Sequence, residues 1–102
     1  LYDILLVDDH KIMRDGIKAI LRNSEEFRVA GEAEDGADAV NQCKRLRPSI
    51  VLIDINLPKL NGIEATSEIV RHCPDTRVII LSMYDDENSV VSAIRNGARA
   101  FV

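Results

Sequence analysis

The chain has 102 residues, 46% of them hydrophobic and 29% charged, and its formal net charge is −4. This length and balance predict one globular domain, 1–102, and exclude a membrane-spanning segment, because no apolar run approaches the roughly 20 residues that cross a bilayer. The acidic balance, with scattered lysines and arginines, argues against nucleic-acid binding by this domain itself. The N-terminus has no signal-peptide pattern, which predicts a cytoplasmic protein.

Aliphatic runs of strand length alternate with amphipathic helical segments along the chain. The first predicted elements are a strand at 4–7, a helix with apolar residues Ile12, Met13, Ile17, Ile20 and Leu21, a strand at 28–33, and a helix with Ala39, Val40, Cys43 and Leu46. A strand at 50–53, a helix with Ile63, Thr66, Ile69, Val70 and Cys73, a strand at 78–81, a helix with Val90, Ala93, Ile94 and Gly97, and a strand from residue 100 follow. Cys43 and Cys73 fall on apolar helix faces, so they are expected to be buried free thiols.

This alternation predicts an α/β fold with a doubly wound, five-stranded parallel sheet between two helical layers. The runs 4–7, 50–53 and 78–81 lack polar alternation, which is typical of central strands that are buried on both faces. The predicted strand order is therefore 2-1-3-4-5, with the weaker strands at the edges. Right-handed crossovers then place the first helix on one face and the next three on the other. We expect a last helix beyond residue 102 to complete the thinner layer.

Acidic side chains follow two of the predicted central strands where those strands end. Asp8 and Asp9 come directly after the first strand, and Asp54 follows the third. The winding reverses between these two strands, and ligands bind at the carboxyl ends of strands that flank such a point. Carboxylates that converge there repel one another unless a cation lies among them. An all-oxygen ligand set favours Mg²⁺ over Ca²⁺.

Two neighbouring segments add polar groups to this edge of the sheet. Ser82 follows the fourth strand, where its hydroxyl can donate a hydrogen bond to a phosphoryl oxygen. The turn-rich segment 56–62 follows Asp54, and its backbone groups can also face a metal.

Each residue of this set has a simpler structural interpretation when it is taken alone. Asp8 and Asp9 could cap the first helix, because Asp is a favoured N-cap, and Ser82 could be a strand-end hydroxyl. Their joint placement at the ends of three central strands is what indicates a site. His10 is interpreted as an exposed residue at the start of a helix, in preference to a metal ligand.

The motifs resemble those of the receiver domain of two-component response regulators. The resemblance is carried by the acidic pair in 6–10, by Asp54 and its surroundings in 52–58 with 61–62, and by the run 79–82 that ends in Ser82. The run 97–102 is similar to the approach to the family's last strand. The resemblance covers the whole chain. Its motifs are most similar to those of the subfamily that carries a LuxR- or NarL-type DNA-binding domain.

The resemblance implies a metal-dependent phosphoacceptor site. Asp54 is the expected phosphoacceptor. Asp9, Asp54 and the backbone carbonyl of Asn56 are expected to hold Mg²⁺, for which Mn²⁺ can substitute, and Asp8 is expected to help through water.

The resemblance also implies a signalling function instead of turnover of a separate substrate. The phosphoryl group is expected to come from a sensor histidine kinase, Ser82 to contact it, and Phe101 to be the aromatic side chain that changes position on activation. The expected partners are that kinase, a second copy of the phosphorylated protein, and DNA through an effector domain downstream. No membrane partner is expected. The family's lysine is expected two residues after Val102, so the piece 1–102 is expected to be poorly active.

Three other functions fit parts of the pattern. A haloacid-dehalogenase-like phosphohydrolase needs an acid two residues after the nucleophile, where this chain has Asn56. A flavodoxin-like binding module needs a phosphate-binding loop after the first strand, where Asp8 and Asp9 would repel a phosphate. A receiver-like domain that serves only for dimerisation would not need a metal.

Overall fold

The computed structural model describes residues 2–54 and 62–81. The described elements are β1 (Tyr2–Val7), α1 (Lys11–Leu21), β2 (Phe27–Ala33), α2 (Gly36–Leu46), β3 (Ile50–Asp54), α3 (Gly62–His72) and β4 (Arg77–Leu81). The predicted alternation is confirmed up to the fourth strand, and β2 begins one residue earlier than predicted. The predicted fourth helix and fifth strand lie outside the described residues. Within the described part, no helix is long and apolar enough to cross a bilayer.

The described strands form one parallel sheet in the order β2-β1-β3-β4. This confirms the predicted order for the first four strands. In the register, Val7 lies beside Ile53, and Asp54 lies beside Leu81. The carboxyl ends of β1, β3 and β4 therefore meet at one edge of the sheet, which is the edge where the acidic residues were predicted to converge.

Apolar side chains of the sheet pack against helices on both faces, as the uninterrupted aliphatic runs predict. On one face, α1 contributes to a core of Ile4, Leu6, Ile17, Leu21, Phe27, Ile50 and Leu52. On the other face, α2 and α3 contribute to a core of Leu5, Val7, Ala33, Ala39, Val40, Cys43, Val51, Ile53, Ala65, Ile69 and Cys73. The predicted distribution of the described helices between the two faces is therefore confirmed.

The two cysteines belong to the larger core and are buried free thiols, as predicted. The Sγ atom of Cys43 lies 4.0 Å from Oγ1 of Thr76. Burial, with a smaller effect of the neighbouring Cys73 thiol, raises the pKa of Cys43 to about 12. A thiol with so high a pKa is a poor nucleophile, so Cys43 acts as a small apolar side chain.

Three residues that were predicted to be buried are exposed instead. Ile12 is 87% exposed, because it precedes Ile17 by five residues and so lies about 140° around the helix from the buried stripe. Val70 is likewise turned about 100° away from the buried Ile69. Ile80 is 46% exposed on β4, which has a described neighbouring strand on only one side.

Alanine substitutions at two glycines are expected to change stability in opposite directions. Gly31 lies on the edge strand, where an added methyl group would lie 2.8 Å from Cδ1 of Leu46 and 2.9 Å from Oε1 of Gln42. We expect Gly31→Ala to lower the free energy of unfolding by about 1 kcal/mol, a modest amount because only the flexible ends of these two side chains must move. Gly16 lies in α1, and an added methyl group there would meet open space. Gly16→Ala should therefore raise the free energy of unfolding by about 0.5 to 1 kcal/mol.

Urea denaturation of both glycine variants checks these expectations. A similar change in the free energy of unfolding for the two variants would contradict the account of the close approach at Gly31.

Candidate metal site at the carboxyl edge of the sheet

The backbone brings the acidic residues to one point. Asp8 directly follows β1, and its N–H donates to the carbonyl of Ala33, which prolongs the pairing of β1 with β2. Asp54 is the last residue of β3. Because Val7 and Ile53 are register partners, the next residues, Asp8 and Asp54, emerge side by side at the carboxyl edge.

The side chains of Asp8, Asp9, His10 and Asp54 form a compact group. One ligand atom from each lies within 4.8 Å of the corresponding atoms of the other three. Asp8 and Asp54 are both 8% exposed, whereas Asp9 and His10 are exposed. Two buried carboxylates and one exposed carboxylate therefore converge on a point that solvent can still reach.

This donor set fits a divalent cation. Three carboxylates at such short range repel one another, and a bound cation offsets this repulsion. Carboxylate oxygens are ligands that Mg²⁺ and Mn²⁺ accept. Asp9 and Asp54 would supply such oxygens directly, and Asp8 would act through a bound water.

His10 directly precedes α1 and contacts the acidic group through its ring and its backbone. It is the N-cap residue with an extended backbone, and its side chain makes no capping hydrogen bond. Its backbone N–H donates to Oδ1 of Asp8 at 2.8 Å, so Asp8 does not cap the helix but bridges the turn that precedes it. Its Nδ1 atom lies 3.0 Å from Oδ1 of Asp8 and 3.0 Å from Oδ1 of Asp9. The hydrogen bond with Asp8, and then the charge of Asp9, raise the pKa of His10.

Arg14 anchors the turn that carries the acidic pair. Its guanidinium is almost fully buried, with 8% of the side chain exposed. Nη1 donates to the backbone carbonyl of Asp8 at 2.6 Å, and Nε donates to Oε1 of Glu32 at 3.0 Å. A weaker contact, 3.4 Å long, joins Nη2 to Glu34. Arg14 thus ties the end of β1 to the end of β2.

Glu32 is shared by two cations of α1. Lys18 donates to its Oε2 at 3.0 Å, while Arg14 binds its other oxygen. The hydrogen bond from Lys18, and then that from Arg14, lower the pKa of Glu32. This network fixes α1 against the edge strand directly behind the acidic group.

The lowered pKa of Glu32 gives the protein an acid-dependent stability. A lowered folded-state pKa stabilises the fold fully above the ordinary value of 4.5, and this contribution is lost as the pH falls through the folded value. We expect Glu32→Gln to reduce stability at neutral pH by about 1 kcal/mol, a modest amount because the carboxylate is partly exposed and screened. The loss should shrink as the pH falls below 4.5.

Urea denaturation at a series of pH values tests this expectation, with the exposed Glu25→Gln as the matched control. Glu25→Gln should leave the stability unchanged. The unaltered protein and Glu32→Gln should differ less in their free energy of unfolding at low pH. A difference that stays constant down to about pH 3 would show that ionisation of Glu32 is not its source.

The structure brings together three of the side chains that the sequence predicts for this site. Asp8, Asp9 and Asp54 lie in one group. The other predicted site residues, Asn56, Ser82 and Phe101, lie outside the described residues.

Sequence reasoning missed two contributors to the site. The interpretation of His10 as exposed is correct, but its ring nitrogen nevertheless faces the carboxylates. Arg14 was not singled out at all. Its position was the available signal, because it lies three residues before the buried Ile17 and so on the inner side of the helix, where an unpaired arginine is costly.

Comparison with known proteins identifies the family. The model of the response regulator receiver domain matches residues 4–102. The transcriptional regulatory protein DegU of Brevibacillus brevis is 40% identical over 99 residues, which are 97% of this chain and 42% of DegU. The chain spans less than half the length of this and other curated relatives that it matches.

Solved structures agree with this assignment. The response regulator domain of CheB from Thermotoga maritima is 38% identical, with a TM-score of 0.78 over 96% of this chain and 74% of that one. A LuxR-family two-component response regulator from Aurantimonas is 33% identical, with a TM-score of 0.76 over 95% of this chain and 69% of that one. These matches confirm the predicted CheY-like receiver fold and the resemblance to the LuxR and NarL group. The chain belongs to the response regulator receiver domain family, a family of signalling phosphoacceptors related to transcriptional regulators.

Proposed function

We propose that this protein accepts a phosphoryl group on Asp54 from a histidine of a sensor kinase and thereby controls an effector, with transcription as the output. The observation that carries the proposal is the position of Asp54. Its carboxylate ends a central strand, is almost fully buried, and lies within 4.8 Å of ligand atoms of Asp8 and Asp9. A cation held by the acidic pair would therefore be in reach of a phosphoryl group on Asp54.

The transfer is an in-line displacement at phosphorus. A carboxylate oxygen of Asp54 forms the new O–P bond, while the P–N bond to the kinase histidine breaks and the imidazole keeps the electron pair. A divalent cation, when bound, neutralises the charge that develops on the phosphoryl oxygens. The product is an acyl phosphate that adds close to two negative charges at neutral pH.

Residues of the described part would hold the cation and fix its position. Asp9 would hold the cation directly, and Asp8 would hold it through water. Arg14 fixes the turn that carries both of them through the carbonyl of Asp8. This rigid attachment keeps the cation site in register with Asp54.

Three residues outside the described part have roles in the proposal that come from the family's motifs. The backbone carbonyl of Asn56 would add a ligand to the cation, and Ser82 would donate a hydrogen bond to the phosphoryl group. Movement of Ser82 toward the phosphate lets Phe101 repack, which is the conformational switch. The switched form associates with a second copy and acts on DNA through an effector domain, in a cytoplasmic protein.

Metal dependence of phosphorylation tests the proposal. The protein is incubated with radiolabelled acetyl phosphate, a small phosphodonor, and the label retained on the protein is measured. We expect label with Mg²⁺ or Mn²⁺ and almost none with a chelator, and the chelated sample should recover when Mg²⁺ is added in excess. Label that is equal with and without divalent cations would contradict the proposed site.

Two other measurements separate the competing functions. Release of many equivalents of phosphate from small phosphate esters would favour a phosphohydrolase. Dimerisation without any response to Mg²⁺ would favour a domain that serves only for association.

A further inference from the structure

We propose that the groove between the end of α1 and the outer side of β2 binds an acidic peptide segment, which pairs with β2 as an additional strand. The groove has a volume of about 510 Å³, and its lining comes from the end of α1, the following loop and the start of β2. None of the four residues of the acidic group lines it. The inference therefore goes beyond the proposed function and does not depend on it.

The outer side of β2 carries backbone groups with which a further strand can pair. β2 pairs with β1 on one side, and no described strand lies on its other side. The carbonyl of Glu26 accepts from the N–H of Tyr2 on β1. Backbone groups alternate in direction along a strand, so those of Phe27 and Val29 face outward. Both residues line the groove, so an extended segment there can form main-chain hydrogen bonds with β2.

Other parts of this outer edge are already occupied, which limits the pairing to the start of the strand. Nε2 of Gln42 donates to the carbonyl of Glu32, and Oγ of Ser24 accepts from the N–H of Phe27 at 3.2 Å. The carbonyl of Phe27 and both backbone groups of Val29 are the groups left at the groove. Because this stretch is short, side-chain contacts must supply much of the affinity and the specificity.

The groove can also receive an apolar side chain of the bound segment. Leu21 and Phe27 line it with only 5% and 4% of their surfaces exposed, because both belong to the core under α1. Val29, which is partly buried, continues this apolar lining along the strand. A bulky apolar residue placed here would be removed from water, which stabilises the complex. We therefore expect an aromatic or aliphatic residue near the centre of the segment.

The charge around the groove favours an acidic occupant. Its lining contains three cations, Lys18, Arg22 and Arg28, and no described carboxylate, although the net charge of the chain is −4. Lys18 and Arg28 already form ion pairs with carboxylates outside the lining. Arg22, the exposed C-cap residue of α1, forms an ion pair with no described carboxylate. A carboxylate of the bound segment can therefore pair with Arg22 without displacing another partner.

Nuclear magnetic resonance titration of the isotope-labelled protein with a synthetic probe tests the inference. The probe is an octapeptide with phenylalanine at a central position and alternating glutamate and threonine elsewhere. A matched peptide carries lysine in place of each glutamate. The variant Arg22→Glu reverses the charge at the groove, and the control Arg45→Glu reverses the charge of an exposed arginine in the last turn of α2.

We expect the acidic peptide to shift the amide signals of 21–22 and 27–29, and the lysine peptide to leave them unchanged. Arg22→Glu should weaken binding of the acidic peptide by about tenfold, because an attraction becomes a repulsion, and Arg45→Glu should bind it as the unaltered protein does. The amide spectra also show that both variants are folded. No shift with the acidic peptide at millimolar concentration, or an equal loss in the two variants, would overturn the inference.

The same spectra identify a different occupant. Signals of 21–22 and 27–29 that shift when the protein alone is concentrated would assign the groove to a second copy of this chain, and the peptide proposal would then be wrong. Equal binding of the acidic and lysine peptides would show that charge does not select the occupant, which would also overturn it.

Discussion

Asp54→Asn is expected to reduce the uptake of label from acetyl phosphate to background. The amide that replaces the carboxylate has almost the same shape but lacks the ionised oxygen that attacks phosphorus, so the O–P bond cannot form. Asp54 lies at the end of a central strand with 8% of its surface exposed, and the substitution keeps the packing around it. The loss should therefore come from the chemistry, with the fold retained.

Asp75→Asn is the matched control for this substitution. Asp75 is an exposed aspartate in the turn before β4, at the opposite edge of the sheet. Asp75→Asn should take up as much label as the unaltered protein. Circular dichroism of both variants confirms that they are folded. Substantial label on a folded Asp54→Asn protein would mean that another residue is the acceptor.

Arg14→Met is expected to lower the free energy of unfolding by about 2 kcal/mol. The substitution keeps an unbranched apolar stem but removes the guanidinium that binds the backbone carbonyl of Asp8 at 2.6 Å. The carbonyl then remains in a buried setting without this donor, while the carboxylate of Glu32 loses one of two cationic partners and keeps Lys18. We also expect weaker Mg²⁺ binding, because the turn that carries Asp8 loses its attachment.

Lys11→Met provides the comparison for Arg14→Met. Lys11 is also a cation of α1 with an ion-pair partner, Asp15, but 77% of its side chain is exposed. An exposed pair contributes about 0 to 1 kcal/mol, so this variant should be close to the unaltered protein. Urea denaturation measures stability, and calorimetry measures Mg²⁺ affinity. Equal free energies of unfolding and equal Mg²⁺ affinities for the two variants would show that burial of the Arg14 contacts contributes little to stability or to metal binding.

The strand pattern of this fold could be predicted from sequence because it depends on strong, local signals. The aliphatic runs 4–7 and 50–53 are buried on both faces in the structure, as continuous apolar strands require. Helix faces were predicted less well. Ile12 has an apolar side chain like those of the core, but its position around the helix turns it away from the sheet. Because α1 contains several apolar residues, the sequence alone does not show which of them face inward.

The acidic site could be predicted for a different reason. Topology alone brings Asp8, Asp9 and Asp54 together, because parallel strands end at a common edge. The contact between His10 and the carboxylates could not be predicted, since it depends on the conformation of the turn before α1. The pairing of Arg14 with Glu32, which lies 18 residues further along the chain, could not be predicted either, because it depends on side-chain geometry.

The most direct test of the account locates the phosphoryl group itself. The protein is phosphorylated with acetyl phosphate and Mg²⁺, reduced with borohydride, which converts an aspartyl phosphate to homoserine, and then digested for mass spectrometry. The account predicts homoserine at position 54 and intact aspartate at positions 8 and 9. Homoserine at either of those two positions, or a phosphorylated protein that still contains aspartate at 54, would contradict it.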